Sequence, residues 1–303
     1  MDFFSDYTLR NVMLGTLLLG MGSGLVGVFV LLRRQSLIGD AVSHAALPGI
    51  VIAFLLTGTK DISVLLTGAA LSGLIGTLCI TAIVGTTKID TDGAQGIVLG
   101  VFLGLGFLLL THIQKSPDAA KAGLDKFVFG QAATIMQRDV ILIAAVESVI
   151  AATIFLFWKE FKLATFDPEF ASVMGFSPKR IELIITALTV PAIVVGIQAV
   201  GVILMSALLV APAAAARQWT DKLSFMGIAA ALFGGLAGAG GSIISSQVPK
   251  LATGPVIVLI LTAIAVVSIV FSPRRGVLQR ILKHKSLKNA VRLSRPKTVT
   301  TVA

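Results

Sequence analysis

The chain has 303 residues, of which 55% are hydrophobic and only 13% charged, and its mean hydropathy is +0.94. Apolar runs of membrane-spanning length recur from Asn11 to Phe271 with short polar breaks, so the composition excludes a pair of soluble domains and predicts one all-helical, polytopic membrane protein. The net charge of +10 does not imply a nucleic-acid partner, because nine of the 25 Lys and Arg residues follow Ser272 with no acid among them; such a tail is an anchor on anionic lipid, at about 1 kcal/mol per charge.

Nine apolar segments are predicted, at 11–32, 38–57, 62–84, 94–112, 139–158, 181–197, 200–217, 223–244 and 254–272, giving about eight to nine transmembrane helices. Asp2 and Asp6 precede the first, which ends at Arg33 and Arg34. That is the wrong charge order for a cleaved signal, and it puts the amino terminus outside by the positive-inside bias. With nine spans the carboxyl terminus is inside, and the segments then assigned inside carry 18 Lys and Arg against seven outside. Residues 1–272 are expected to form one transmembrane domain and 273–303 a basic cytoplasmic tail. Only six residues, 196–201, turn the chain between the sixth and seventh segments, so one of that pair is expected to be short, re-entrant or broken. The lone cysteine, Cys79, rules out an internal disulfide and a Cys-based metal cage.

Small residues recur at four-residue spacing in Gly96-Gly100-Gly104, Gly68-Ser72-Gly76 and Gly234-Gly238. Such rows let helices approach closely, and packing within the chain is the expected use of each. The connection at 113–138 contains LDKFVFGQAATIM, too apolar for a solvated loop, and is expected to lie along the interface or fold back over the bundle. The stretch 159–180 mixes charge with Phe161, Phe166, Phe170 and Phe176. Asp167-Pro168 is a helix start and Gly175 a stop, so a short amphipathic helix is predicted there.

The run RRQSLIGDAVSHAALPG, 33–49, carries the chemistry. On a helix, Asp40 and His44 are one turn apart and project from one face, and both are expensive at membrane depth. Two roles fit: a structural one, in which the two hydrogen-bond each other or Asp40 caps the helix start, or a transient metal site, since carboxylate and neutral imidazole ligate Mn(II), Fe(II) and Zn(II). Pro48 removes a helix hydrogen bond nearby.

The segment LLRRQSLIGDAVSHAALPGIVIAFLL resembles the signature of the manganese, zinc and iron permease family of ABC transporters. FDPEFASVMGFSPKRIE, VGVILMSALLVAPAAAAR and LATGPVIVL follow in the family's order. This resemblance implies an importer of the bacterial inner membrane built from two permease chains, identical or related, two ATP-binding cassette subunits and an external metal-binding protein. No cofactor is held stably; the divalent metal is the cargo. It further implies that FDPEFASVMG is the coupling helix seated on the ATPase, with Phe166, Asp167, Glu169, Phe170, Met174 and Gly175 as its contact residues. Two-fold pairing would unite two Asp40 and two His44 side chains as four ligands. The chain has no GxxxxGK[ST] loop, so ATP hydrolysis belongs to a partner.

Two weaker metal-ligand candidates remain. Glu147 lies midway along the fifth segment, as a pathway ligand or a structural hydrogen-bonding group. His112 closes the fourth segment, as an entry-side ligand or an interfacial histidine. No HExxH motif is present, and Ser43 beside His44 points about 100° away on a helix, so an enzyme is not supported. A proton-coupled secondary metal transporter, with Asp40, His44 and Glu147 relaying protons, is the rival function.

Overall fold

The computed structural model describes residues 7–59, 61–114, 130, 135–248, 251–273 and 276–279. Their regular structure is entirely helical: α1 (Tyr7–Leu32), α2 (Ile38–Thr57), α3 (Ile62–Thr86), α4 (Thr91–Gln114), α5 (Gln137–Leu156), α6 (Trp158–Phe166), α7 (Pro168–Val173), α8 (Pro178–Val200), α9 (Val202–Trp219), α10 (Leu223–Gln247) and α11 (Thr253–Phe271). Eight of these, all the long ones except α9, are long and apolar enough to cross a membrane. The 18-residue α9 runs among them, against α1, α2, α10 and α11. Nine long helices thus stand where nine apolar segments are predicted. Most of the basic tail, and residues 115–129 and 131–134 of the 113–138 connection, lie outside the described residues.

The helix ends follow local chemistry. Asp61 caps α3 by accepting the Ser63 N–H at 3.0 Å, satisfying a donor that has no partner within the helix. Gly58 ends α2 at φ +63°, a left-handed conformation open to glycine at no steric cost.

Packing rests on small residues, as expected where lipid offers no hydrophobic drive between helices. Along the α1–α10 seam, Gly20 lies against the backbone of Gly234, Gly24 against Ala230, and Thr16 Oγ1 donates to the Gly238 carbonyl at 3.0 Å. Gly68 and Ser72 meet Gly49 of α2, and Ser72 Oγ donates to the Ala45 carbonyl at 2.6 Å. The third row differs. A Cβ on Gly96, Gly100 or Gly104 would meet nothing within 4 Å, so among the described residues this row faces outward and packs against no other helix.

A direct test lies in the first seam. Any side chain at Gly234 overlaps the Gly20 carbonyl, so Gly234→Val is expected to cost about 1–3 kcal/mol or more by overpacking. Thermal unfolding in detergent would show it as a lowered Tm; an unchanged Tm would mean that this seam is loose.

The tight turn between the sixth and seventh segments is resolved by one residue. α8 runs unbroken to Val200 and α9 begins at Val202, with Gly201 at φ +90° between them. Neither helix is broken, and α9 is the shortest of the nine. Gly130, at φ +75°, sits against the Val200–Gly201 backbone, and buried Ile135 packs on Gly15 of α1. At these two points the 113–138 connection folds back over the bundle.

Candidate metal site and coupling surface

α2 begins at Ile38, so Asp40 is its third residue and does not cap it. The N-cap position is Leu37, without a side-chain cap. Around α2, Gly39 faces Ser206 and Leu209 of α9, Ala45 and Gly49 face α3, and Leu47 and Pro48 face Gly106 of α4. At 100° per residue, Asp40 and His44 fall between Leu47 and Pro48, on the α4 side of α2 and nearer its start. Both are half-buried. No hydrogen bond links the two side chains, and His44 Nδ1 is buried with no partner. Pro48 has no N–H, so the His44 carbonyl lacks its helical donor. One turn of α2 therefore offers a carboxylate, an imidazole and a backbone oxygen to the same side, the mixed N/O donor set of a first-row divalent ion.

The other two metal-ligand candidates lie elsewhere. His112 is exposed near the end of α4. Glu147 is 6% exposed and sits in the α1–α5 seam, where Gly22 leaves the room that its carboxyl fills. Neither carboxyl oxygen has a hydrogen-bond partner. Among the described residues, no group of three or more His, Cys, Asp and Glu side chains gathers, and Asp40 and His44 stand as a pair.

The expected coupling segment is built at one end of the bundle. Phe161 anchors α6, 1% exposed, edge-on to Phe29 with ring centroids 5.6 Å apart. Asp167 then caps α7, accepting the Phe170 N–H at 2.9 Å, with Pro168 in the first turn. Gly175 at φ +87° ends it, where Phe176 N–H donates to the Ala171 carbonyl and Gly175 N–H to Ser172, a Schellman closure. Only Ala171 of α7 is buried. Phe166, Phe170, Val173 and Met174 stand 50–82% exposed, with Glu169 exposed beside them. Val173, the most exposed of these, carries no signal in the sequence beyond being apolar.

A polar connection that the sequence does not reveal joins this end to α2. Glu182 Oε1 accepts from Gln35 Nε2 at 3.0 Å, and its Oε2 lies 3.2 Å from Arg33 Nη2. Burial lowers the Arg33 pKa below its ordinary value, and the Glu182 charge partly offsets this.

A bundle of nine long apolar helices, with a half-buried ionisable pair near the start of α2 and a capped apolar segment at one end, has the build of a multi-pass membrane transport subunit. The chain belongs to the ABC 3 transport family, which its residues 5–272 match. It is 68% identical over 285 residues to the zinc transport system membrane protein TroC of Treponema pallidum, covering 94% of this chain and 96% of that one. Identity to the manganese transport system membrane protein MntC of Bacillus subtilis is 46% over 277 residues, covering 91% of this chain and 64% of the longer relative. In the structure of PsaBC from Streptococcus pneumoniae in complex with Fab, one chain superposes with a TM-score of 0.80 at 31% identity, over 93% of this chain and 97% of that one. The protein is a metal ABC transporter permease of the bacterial inner membrane.

Proposed function

We propose that the chain is the permease of an importer that carries a divalent transition-metal ion, Mn(II), Zn(II) or Fe(II), into the cytoplasm. It works as a pair of identical or related permeases. The ATP-binding cassette subunits hydrolyse ATP and an external metal-binding protein delivers the ion. The observation that carries this reading is the half-buried Asp40–His44 turn on the α4 side of α2, near its start. Pairing two such turns supplies two carboxylates and two imidazoles, a sufficient shell for these ions. Zinc binds such a set more tightly than manganese, so selection between them falls to geometry or to the external protein. Weak binding suits the task, because the ion must leave again.

The amino terminus lies outside and the carboxyl terminus inside, which puts the α6–α7 end and the basic tail at 273–303 in the cytoplasm, facing the ATPases and anionic lipid. Glu147 and His112 take no first role in this reading, since Glu147 belongs to the α1–α5 seam and His112 to the end of α4. The test is uptake into vesicles holding the whole complex, with Mn(II), Zn(II) and Fe(II) in competition. Uptake is expected to survive a collapsed proton gradient and to stop without ATP; the reverse result would establish the proton-coupled transporter.

A further inference from the structure

We propose that Glu182 is the strut through which movement of the ATPase-facing segment reaches the helix carrying Asp40 and His44. The inference rests on the importer reading above and names the residue that couples its two ends. Glu182 lies in the second turn of α8, just beyond the Gly175 closure of α7. Its two oxygens are divided between Gln35 and Arg33, both in the turn that separates α1 from α2.

That turn is stiff. The N–H groups of Arg33, Arg34 and Gln35 all bond back to carbonyls in the last turns of α1, and Arg34 is held at φ +57°. On its other side the Gln35 carbonyl accepts from the N–H of Ile38, the first residue of α2. A displacement of the Glu182 carboxylate is therefore passed to the start of α2, two residues before Asp40 and one turn further from His44. Arg33 cannot easily let go: its side chain is 12% exposed, and Nη1 is already buried without a partner.

Around this link the start of α8 is loosely packed, although α8 also meets α1, α2 and α3 along its length. Beside it, a cavity of about 210 Å³ separates the start of α8 from α2, α3 and α4, lined by Lys179, Thr91 and Gln95 among others. Gln95 is fully buried with neither amide atom hydrogen-bonded. The start of α8 thus has space to move against these helices, and the connection that crosses to α2 is polar and directional.

The experiment uses the whole complex in proteoliposomes with its external binding protein, reading ⁵⁴Mn(II) or ⁶⁵Zn(II) uptake and ATP hydrolysis together. For Glu182→Gln, the metal moved per ATP is expected to fall roughly tenfold, and the charge-swapped pair Arg33→Glu with Glu182→Arg is expected to regain most of it. A merely structural role would lower uptake and hydrolysis in parallel and leave their ratio unchanged, which overturns the inference; so does a swap that fails to restore the ratio. Should Glu182→Gln not assemble, Gln35→Leu keeps the ion pair and removes the hydrogen bond. Its ratio is expected to fall severalfold, and a wild-type ratio counts against the strut. A wild-type complex that moves neither metal overturns the importer reading and takes this inference with it, whereas wild-type transport with an unaltered Glu182→Gln ratio removes the strut alone.

Discussion

Replacing His44 with Ala is expected to abolish metal uptake while leaving assembly with the ATPase subunits intact. The imidazole supplies the nitrogen donor of the Asp40–His44 turn, and its Nδ1 has no protein partner to lose. In a paired permease the single change deletes two of four ligands. Altering a group that merely supports a ligand costs about 10–100-fold in metal affinity, so removing the ligands themselves should cost at least the upper figure. The fold should tolerate the change. Alanine is the best helix former, and the half-buried His44 lies on the α4 side of α2 and not in the tight α2–α3 seam made by Ala45 and Gly49. Uptake, with co-purification as the control for assembly, separates the two effects. If His44→Ala moves metal at the wild-type rate with the ATPase bound, the ion does not use this turn.

How far such a site can be read from sequence depends on whether its parts are local. α2 was legible to the residue, 38–57, because an apolar run, a preceding charge pair and Gly58 all mark its ends. The Asp40–His44 pair was legible too, since one helical turn fixes its geometry. The α7 segment announced itself through Asp167-Pro168 and Gly175, whose effects act within five residues. Features set by which helices meet were not legible. The Gly96-Gly100-Gly104 row has the same spacing as Gly68-Ser72-Gly76, yet among the described residues only the latter finds a neighbouring helix. Spacing tells that a face is small, not what lies against it. Glu147 is visible as a carboxylate in an apolar run, but its seat against Gly22 belongs to the packing of α5 on α1. The Glu182–Gln35 bond joins positions 147 residues apart, and no periodicity points from one to the other. The 196–201 turn was legible only in part: α9 is short, as one of the expected alternatives has it, but a single glycine at φ +90° parts two unbroken helices.

Replacing Phe170 with Asp is expected to release the ATPase subunits while the permease itself stays folded. Phe170 is 50% exposed on the apolar side of α7, next to Val173 at 82% and Met174 at 58%. Apolar groups so exposed at the end of a bundle, outside the long helices that lipid surrounds, mark a surface that another protein covers. Aromatic and Met side chains supply much of the energy at the centre of such contacts, and truncating one costs about 2 kcal/mol or more, roughly 30-fold in Kd. A carboxylate adds to that loss the burial of an unpaired charge. The α7 backbone should survive, because its ends are held by the Asp167 cap and the Gly175 closure and its inner face by Ala171, none of which involves the Phe170 ring. Ala171 and Phe161, both buried, keep the segment on the bundle. Co-purification of the ATPase with detergent-solubilised Phe170→Asp, alongside its thermal unfolding, reads both halves. Loss of the ATPase at an unchanged Tm is the expected outcome. Full retention of the ATPase would mean that the contact surface lies elsewhere on the permease, and with it the path by which ATP hydrolysis reaches α8.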